Sequence, residues 1–205
     1  MILDPPFEIF LSAPPGLEPA LLAEAQAQGF ADAVAVPGGV TVSGGWPEVW
    51  RANLELRGAG RVLVRVASFL AFHLAQLDKR ARKLPWTDLL PPGTSVKVEA
   101  TSRGSKIYHG GAAAERIAAA IEAALGPAAS AAEPVRMLAR IEDNRVTLSL
   151  DTSGEPLHKR GHKEAVGKAP LRETLAALFL HEAGYRGREP VVDPMCGSGT
   201  FVIEA

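Results

Sequence analysis

The sequence predicts an α+β chain: a ferredoxin-like N-terminal domain, a second α/β domain, and then the first elements of a Rossmann-like fold. Three observations predict it. Strand and helix patterns succeed one another as β-α-β-β-α-β over residues 6–68, the ferredoxin-like order. From Ala71 the alternation restarts with helix first. The last fifteen residues read as a short apolar run, a Pro- and Gly-rich turn, and an apolar run with helical character. The expected divisions are 1–70, 71–152, a connector at 153–169, and 170–205.

In order, Phe7-Glu8-Ile9-Phe10-Leu11 alternates and then turns apolar, a strand whose core face is set by Phe7 and Ile9. Pro14-Pro15-Gly16 ends it. Leu17, Leu21, Leu22 and Ala25 recur at helical spacing up to Gln28, and Gly29 stops that helix. Strands at 33–36 and 40–42 flank the turn signal Pro37-Gly38-Gly39. A helix over 47–56 carries Val49, Leu54 and Leu56, and the β-branched run 61–66 closes the first domain. Phe72, Leu74, Leu77 and Ala81 mark an amphipathic helix whose other face holds Lys79, Arg80, Arg82 and Lys83; Pro85 ends it and Trp86 begins a turn. Residues 95–100 alternate with Val96 and Val98 inward and Lys97 and Glu99 outward. A polar loop over 101–109 leads into an Ala-rich helix over 111–125, closed by Gly126-Pro127. Strands at 135–141 and 146–150 pair around Glu142-Asp143-Asn144-Arg145. After the polar connector, Pro170 opens a helix with Leu171, Leu175, Leu178 and Phe179 at helical spacing, ended by Gly184.

Composition narrows the function. With 47% apolar and 22% charged residues, the 205-residue chain can bury a sizeable core. No run approaches a membrane span, and Met1-Ile2-Leu3-Asp4-Pro5-Pro6 lacks the basic and apolar regions of a leader, so a cytoplasmic protein is expected. The single cysteine, Cys196, excludes an internal disulfide and a multi-cysteine zinc site. The net charge of −1 hides an asymmetry. Residues 1–56 hold only Arg51 against seven acids, whereas residues 57–116 hold eleven cations against Asp78, Asp88, Glu99 and Glu115. Such a basic segment is the footprint of a surface that meets phosphates, and a solvated helix face has the same pattern. The loop Ser102, Arg103, Lys106, Tyr108 and His109 mixes cations, hydroxyls and an aromatic ring, as recognition of RNA backbone and unstacked bases requires; Tyr108 equally suits the core.

The terminal turn Asp193-Pro194-Met195-Cys196-Gly197-Ser198-Gly199-Thr200 has the composition of a nucleotide-type cofactor loop. Gly197 and Gly199 let backbone N–H groups approach a ligand, and a helix starting near Thr200 turns its positive end toward an anion. A dinucleotide fingerprint would have a third glycine where Val202 stands. Cys196 fits the loop as a small side chain, with no paired histidine evident for a nucleophile. His158 and His162 lie four apart, but Gly161 weakens a helix there and no further ligand is at a suitable spacing, so no metal is expected.

Three motifs carry a resemblance: 151–161 (Asp-Thr-Ser-Gly-Glu-Pro-Leu-His-Lys-Arg-Gly), Ala169-Pro170-Leu171-Arg172-Glu173, and the loop 193–200. Together with Leu84-Pro85-Trp86 and Ser105-Lys106-Ile107-Tyr108-His109, they are similar to the THUMP-containing RNA guanine-N2-methyltransferases over roughly residues 50–205. The resemblance implies a THUMP RNA-binding domain at 71–152 and, from 170, a class I methyltransferase domain using S-adenosylmethionine, with guanines of large-subunit rRNA, or tRNA in some relatives, as substrate. It makes Asp193 to Thr200 the cofactor loop, and it puts Lys159, Arg160 and Lys163 at the join of RNA-binding and catalytic halves, where phosphate contacts are useful. With Lys79, Arg80, Arg82, Lys83, Arg103, Lys106, Tyr108 and His109 these are the expected RNA-binding residues.

The family's Asn-Pro-Pro-aromatic motif, which holds the guanine amino group, does not occur in the 205 residues. No catalytic residue is therefore assigned, and the chain alone is expected to bind structured RNA without transferring a methyl group. The loop is expected to lie at an unpaired strand edge and to be mobile, without binding the cofactor. The alternatives are a stand-alone RNA-binding module or a fragment of a tRNA or DNA methyltransferase. Oligomeric state is left open.

Overall fold

The computed structural model describes residues 5–129, 133–163, 167 and 170–205. The N-terminal residues Met1 to Asp4 and Ala169 of the second motif lie outside the described residues. The chain forms two compact units: Glu8–Val62 with Glu155–Ala205, and Leu63–Gly154 with the segment ending at Phe7.

The first unit contains β1 (Phe7–Ser12, save its first residue), α1 (Glu18–Ala27), β2 (Val34–Val36), β3 (Gly39–Gly44) and α2 (Trp46–Glu55), in the strand order β2-β3-β1. β2 and β3 form an antiparallel pair with Val36 opposite Gly39. The chain then returns beside β1, where the Ser12 N–H donates to the Arg61 carbonyl at 2.9 Å and the Gly60 N–H to the Ser12 carbonyl at 2.8 Å. Ile9 is buried as the alternation predicts, and so are Phe10 and Leu11, because β1 is covered on both faces. Leu54, expected in the core, is 85% exposed. The packing face of α2 is set by Val49 and Ala52, and at 3.6 residues per turn Leu54 falls on the far side of the helix.

Two later helices belong to this unit, α6 (Glu173–Glu182) and α7 (Thr200–Glu204); α6 packs on α1 and α7 on α6. Pro170 precedes α6 instead of opening it, Arg172 being the N-cap. Leu178 is buried, whereas Phe179 is turned toward solvent and lies 6.4 Å from the Phe201 ring. The expected strand at residues 191–193 does not form. A strand needs a neighbour to satisfy its N–H and C=O groups, and no ladder reaches this segment among the described residues. Val192 is 86% exposed as a result.

The second unit holds β4 (Val62–Leu70, entered at Leu63), α3 (Leu74–Ala81), α4 (Trp86–Leu89), β5 (Val96–Arg103), α5 (Gly110–Leu125), β6 (Val135–Glu142) and β7 (Arg145–Asp151). Its sheet runs β4-β7-β6-β5, antiparallel except for the parallel β5–β6 pair. Asp143 and Asn144 take φ of 49° and 64°, the positive values of a two-residue hairpin between β6 and β7. α5 packs on β5 and α3. Met137, Ala139, Ile141, Val146 and Leu148 form the core with Ala113, Ile117 and Ile121.

Two details depart from expectation here. Trp86 starts α4 instead of a turn; it is 1% exposed, and its indole N–H donates to the Ala81 carbonyl at 2.8 Å. β5 continues through Thr101 to Arg103, since parallel pairing with β6 extends to Arg103 opposite Glu142. As the outermost strand of the run, β5 leaves Val96 and Val98 only half-buried.

Candidate functional site

The terminal loop is shaped by its own short hydrogen bonds. The Met195 N–H donates to Asp193 Oδ1 at 3.0 Å, and the Gly199 N–H to the Cys196 carbonyl at 2.7 Å. Gly197 and Gly199 take φ of 52° and 71°, which only glycine adopts without strain. Around both, a side chain would meet nothing closer than 3.9 Å, so the loop backbone is open to solvent on that side. Pro194, Met195, Cys196 and Gly197 are exposed. Thr200 is buried and starts α7, its hydroxyl donating to the Leu171 carbonyl at 3.2 Å. Ser198 accepts from the Gly167 N–H at 3.0 Å. The loop is thus fixed at its far end and free at its glycines.

The connector residues separate into three kinds. Lys159 is exposed and pairs with Glu155 at 2.6 Å. Arg160 turns inward: its guanidinium reaches the buried Glu204 carboxylate at 3.2 Å and donates to the Arg57 carbonyl at 2.5 Å. Arg57 itself holds the same carboxylate at 3.0 Å. The Lys163 side chain is buried, its ammonium 3.1 Å from Glu173 and donating to the Leu171 carbonyl at 2.8 Å. Of the three cations expected to meet phosphate, only Lys159 presents its charge to solvent. His158 lines the same recess of about 380 Å³ as Lys163, Leu171 and Glu173. Burial there, and then the Arg172 charge, push its imidazole below its ordinary 6.5.

On the second unit, Lys79, Arg80, Arg82 and Lys83 are all exposed at the end of α3, where cations complement the helix dipole. Arg82 is tied to Asp78 at 2.9 Å. Among the described residues Lys79, Arg80, Lys83 and Arg103 hold no ion pair. The segment after β5 is braced by Asn144, whose side-chain oxygen accepts from the Lys106 N–H at 2.8 Å and whose N–H donates to Ser105 Oγ at 2.9 Å. The Lys106 ammonium lies 5.6 Å from the Phe72 ring centroid. Tyr108 is 85% exposed, so its ring lies outside the core. His109 caps α5, its Nδ1 accepting from the Ala112 N–H at 3.1 Å.

Sequence reasoning missed the carboxylates that organise these segments. Glu204 and Glu173 are buried, and Glu24 accepts from the Arg57 and Gly58 N–H groups at 2.7 and 2.9 Å. No local pattern separates these three from surface acids, since burial of a charge depends on partners far away in the chain. Among the described residues no cluster of three His, Cys, Asp or Glu could hold a metal ion, and no helix is long and apolar enough to cross a membrane.

Three family models match successive parts of the chain: the RlmL ferredoxin-like domain over residues 8–63, the THUMP domain over 72–151, and the RMKL-like methyltransferase domain over 160–205. The ribosomal RNA large subunit methyltransferase K/L of Syntrophotalea carbinolica is 37% identical over 99% of this chain and 30% of its own length. Among solved structures, a predicted N6-adenine-specific DNA methylase from Listeria monocytogenes superposes with a TM-score of 0.89 at 33% identity, covering 97% of this chain and 54% of that one. SMU.472, solved in complex with SAH, gives a TM-score of 0.84 at 28% identity over 98% and 55%. The chain therefore spans about 30% of the length of the curated relative and roughly half of each structure.

Proposed function

We propose, from the successive matches to the RlmL ferredoxin-like, THUMP and RMKL-like methyltransferase models, that this chain is the RNA-binding portion of an enzyme methylating guanine in large-subunit rRNA. The observation that carries this reading is the set of exposed cations on the unit Leu63–Gly154, within the residues that match the THUMP model. Lys79, Arg80, Lys83 and Arg103 present charge to solvent without carboxylate partners among the described residues, so they remain available to phosphate. Tyr108, exposed close in sequence to Lys106, offers a stacking face to an unpaired base. A cytoplasmic setting fits such a substrate.

S-adenosylmethionine would supply the methyl group in the parent enzyme. The residues that fit its amino-acid end are the backbone of Cys196 to Gly199, open where the glycines lie, with Asp193 shaping the turn before them. Met195, Cys196 and Gly197 have solvent on their outer side, and residues 191–193 have no ladder partner among the described residues. The 205 residues contain no Asn-Pro-Pro-aromatic sequence to hold a guanine amino group. The chain alone is thus a binding module without turnover.

The test pairs two measurements on the 205-residue chain. Titration with a labelled large-subunit rRNA fragment between 50 and 200 mM salt is expected to show affinity falling steeply with salt, by about 0.7 to 0.9 logarithmic units per decade for each phosphate contact. Absence of binding, or binding indifferent to salt, would overturn the RNA reading. Calorimetry with S-adenosylmethionine is expected to show no heat of binding; saturable binding would show the loop to be competent by itself. The DNA named for the Listeria structure makes a single-stranded DNA of the same sequence the necessary competitor.

A further inference from the structure

The sheet β4-β7-β6-β5 has two unlike faces. Its register puts Met137 opposite Leu150, Ala139 opposite Leu148 and Ile141 opposite Val146, all buried on the side of the core. Strand alternation gives the other face the opposite chemistry. There Lys97 lies beside Arg136, Thr101 beside Arg140, Arg140 opposite Thr147, and Glu142 between Arg103 and Arg145. Lys97, Arg103, Arg140 and Arg145 are exposed.

We propose that this open sheet face is a docking surface for an unpaired RNA strand, with Arg140 and Arg145 at its centre. The proposal rests on the RNA-binding reading above and centres the contact on the strands β6 and β7, whereas sequence alone placed the charge on α3, the 101–109 segment and the connector. The exposed cations of the face, Lys97, Arg103, Arg140 and Arg145, outnumber its accessible carboxylates, Glu99 and Glu142, which hold some of the cations in place; Asp151, at the far end of β7, is buried. Glu99 receives Arg136 at 2.7 Å and Lys97 at 3.3 Å, and Glu142 receives Arg140 at 2.8 Å. A guanidinium held at the surface this way presents both edge donors for phosphate and a flat plane for a base.

The surroundings suit an unpaired strand better than a duplex. Between the cations lie short Thr101 and Thr147 and apolar Leu70 and Leu138, a shallow floor on which splayed bases can rest. Leu70, Arg140, Glu142, Asp143, Arg145 and Thr147 enclose a recess of about 440 Å³ on this face, within the size range of small-ligand pockets. A paired A-form helix keeps its bases stacked and shows such a floor phosphates, ribose and base edges but no base faces.

The experiment measures fluorescence anisotropy of a labelled 12-nucleotide unpaired RNA and of a blunt duplex of equal length, on the full 205-residue chain. Arg140→Ala with Arg145→Ala is expected to weaken unpaired RNA about tenfold and to lower the salt slope by about 1.4, as expected when two phosphates of a single strand are no longer neutralised. Lys79→Ala with Arg80→Ala, which removes cations of α3 that the RNA reading also uses, is expected to weaken it by a smaller factor, about threefold. Glu142→Gln, which removes a negative charge from the face while its amide oxygen can still accept from Arg140, is expected to tighten binding about twofold; melting curves of all three variants check the fold. Unchanged affinity in the Arg140/Arg145 variant with a loss in the Lys79/Arg80 variant would overturn the sheet face and leave the RNA reading standing. Equal or tighter binding of the duplex would overturn the unpaired strand. Failure of the unaltered chain to bind either RNA would overturn both this inference and the reading it rests on.

Discussion

Lys163 shows how much one residue's meaning depends on what it touches. Sequence placed it among the phosphate-binding cations; folded, its side chain is buried against Glu173 at 3.1 Å. Glu173 is held below its ordinary 4.5. Burial, the largest influence, acts upward, but the residue's own backbone N–H and the Lys163 hydrogen bond and charge together outweigh it. A carboxyl depressed in this way adds stability above pH 4.5 and loses it as pH falls through the folded value. His158 is likewise depressed, so its contribution is present above pH 6.5 and is lost below it. Urea unfolding is expected to show stability beginning to fall under pH 6.5 and falling again under 4.5. Lys163→Met should cost about 3 kcal/mol at pH 7 by leaving a buried carboxylate unpaired. That cost should shrink below pH 4.5 as Glu173 is protonated; a cost independent of pH would show that the pair is not its source.

At the scale of elements, local chemistry and packing divide the credit. The β6–β7 hairpin is legible because Asp143 and Asn144 tolerate the positive φ its turn requires. The extension of β5 to Arg103 is not, since Thr101 and Ser102 look like loop residues until β6 lies alongside. The start of α7 at Thr200 follows from Gly199, whereas the strand expected before it fails for want of a neighbour. Gly58 shows the same limit. A methyl group there would come within 2.4 Å of Leu178 Cδ2 on α6 and 2.8 Å of Glu24 Oε2 on α1. Gly58→Ala is therefore expected to destabilise by about 1–3 kcal/mol through overpacking. Thermal unfolding would measure this, and an unchanged melting temperature would mean that the α1–α6 contact yields freely.

Across the whole molecule, compact grouping does not follow chain order. Residues 155–205 fold with 8–62, and the join is made by Glu204, buried and held by Arg57 and Arg160 from segments distant in sequence. Replacing both arginines by alanine strands a buried carboxylate, for a cost of about 3 kcal/mol. Hydrogen exchange at Ile203, which donates to Gly199 at 2.9 Å, should then accelerate, and Glu204→Gln added to that background should restore part of the protection. Loss of protection elsewhere but not in α7 would contradict the clasp. By itself the sequence determined the order and type of nearly every element, the glycine turn of the terminal loop and the basic character of residues 57–116, because periodicity, turn chemistry and charge are local properties. Only the tertiary structure decided which cations face solvent and which are buried against Glu173 and Glu204. It alone aligned Arg140 and Arg145 with Lys97 and Arg103 on one open face, because strand register joins residues that no local pattern connects.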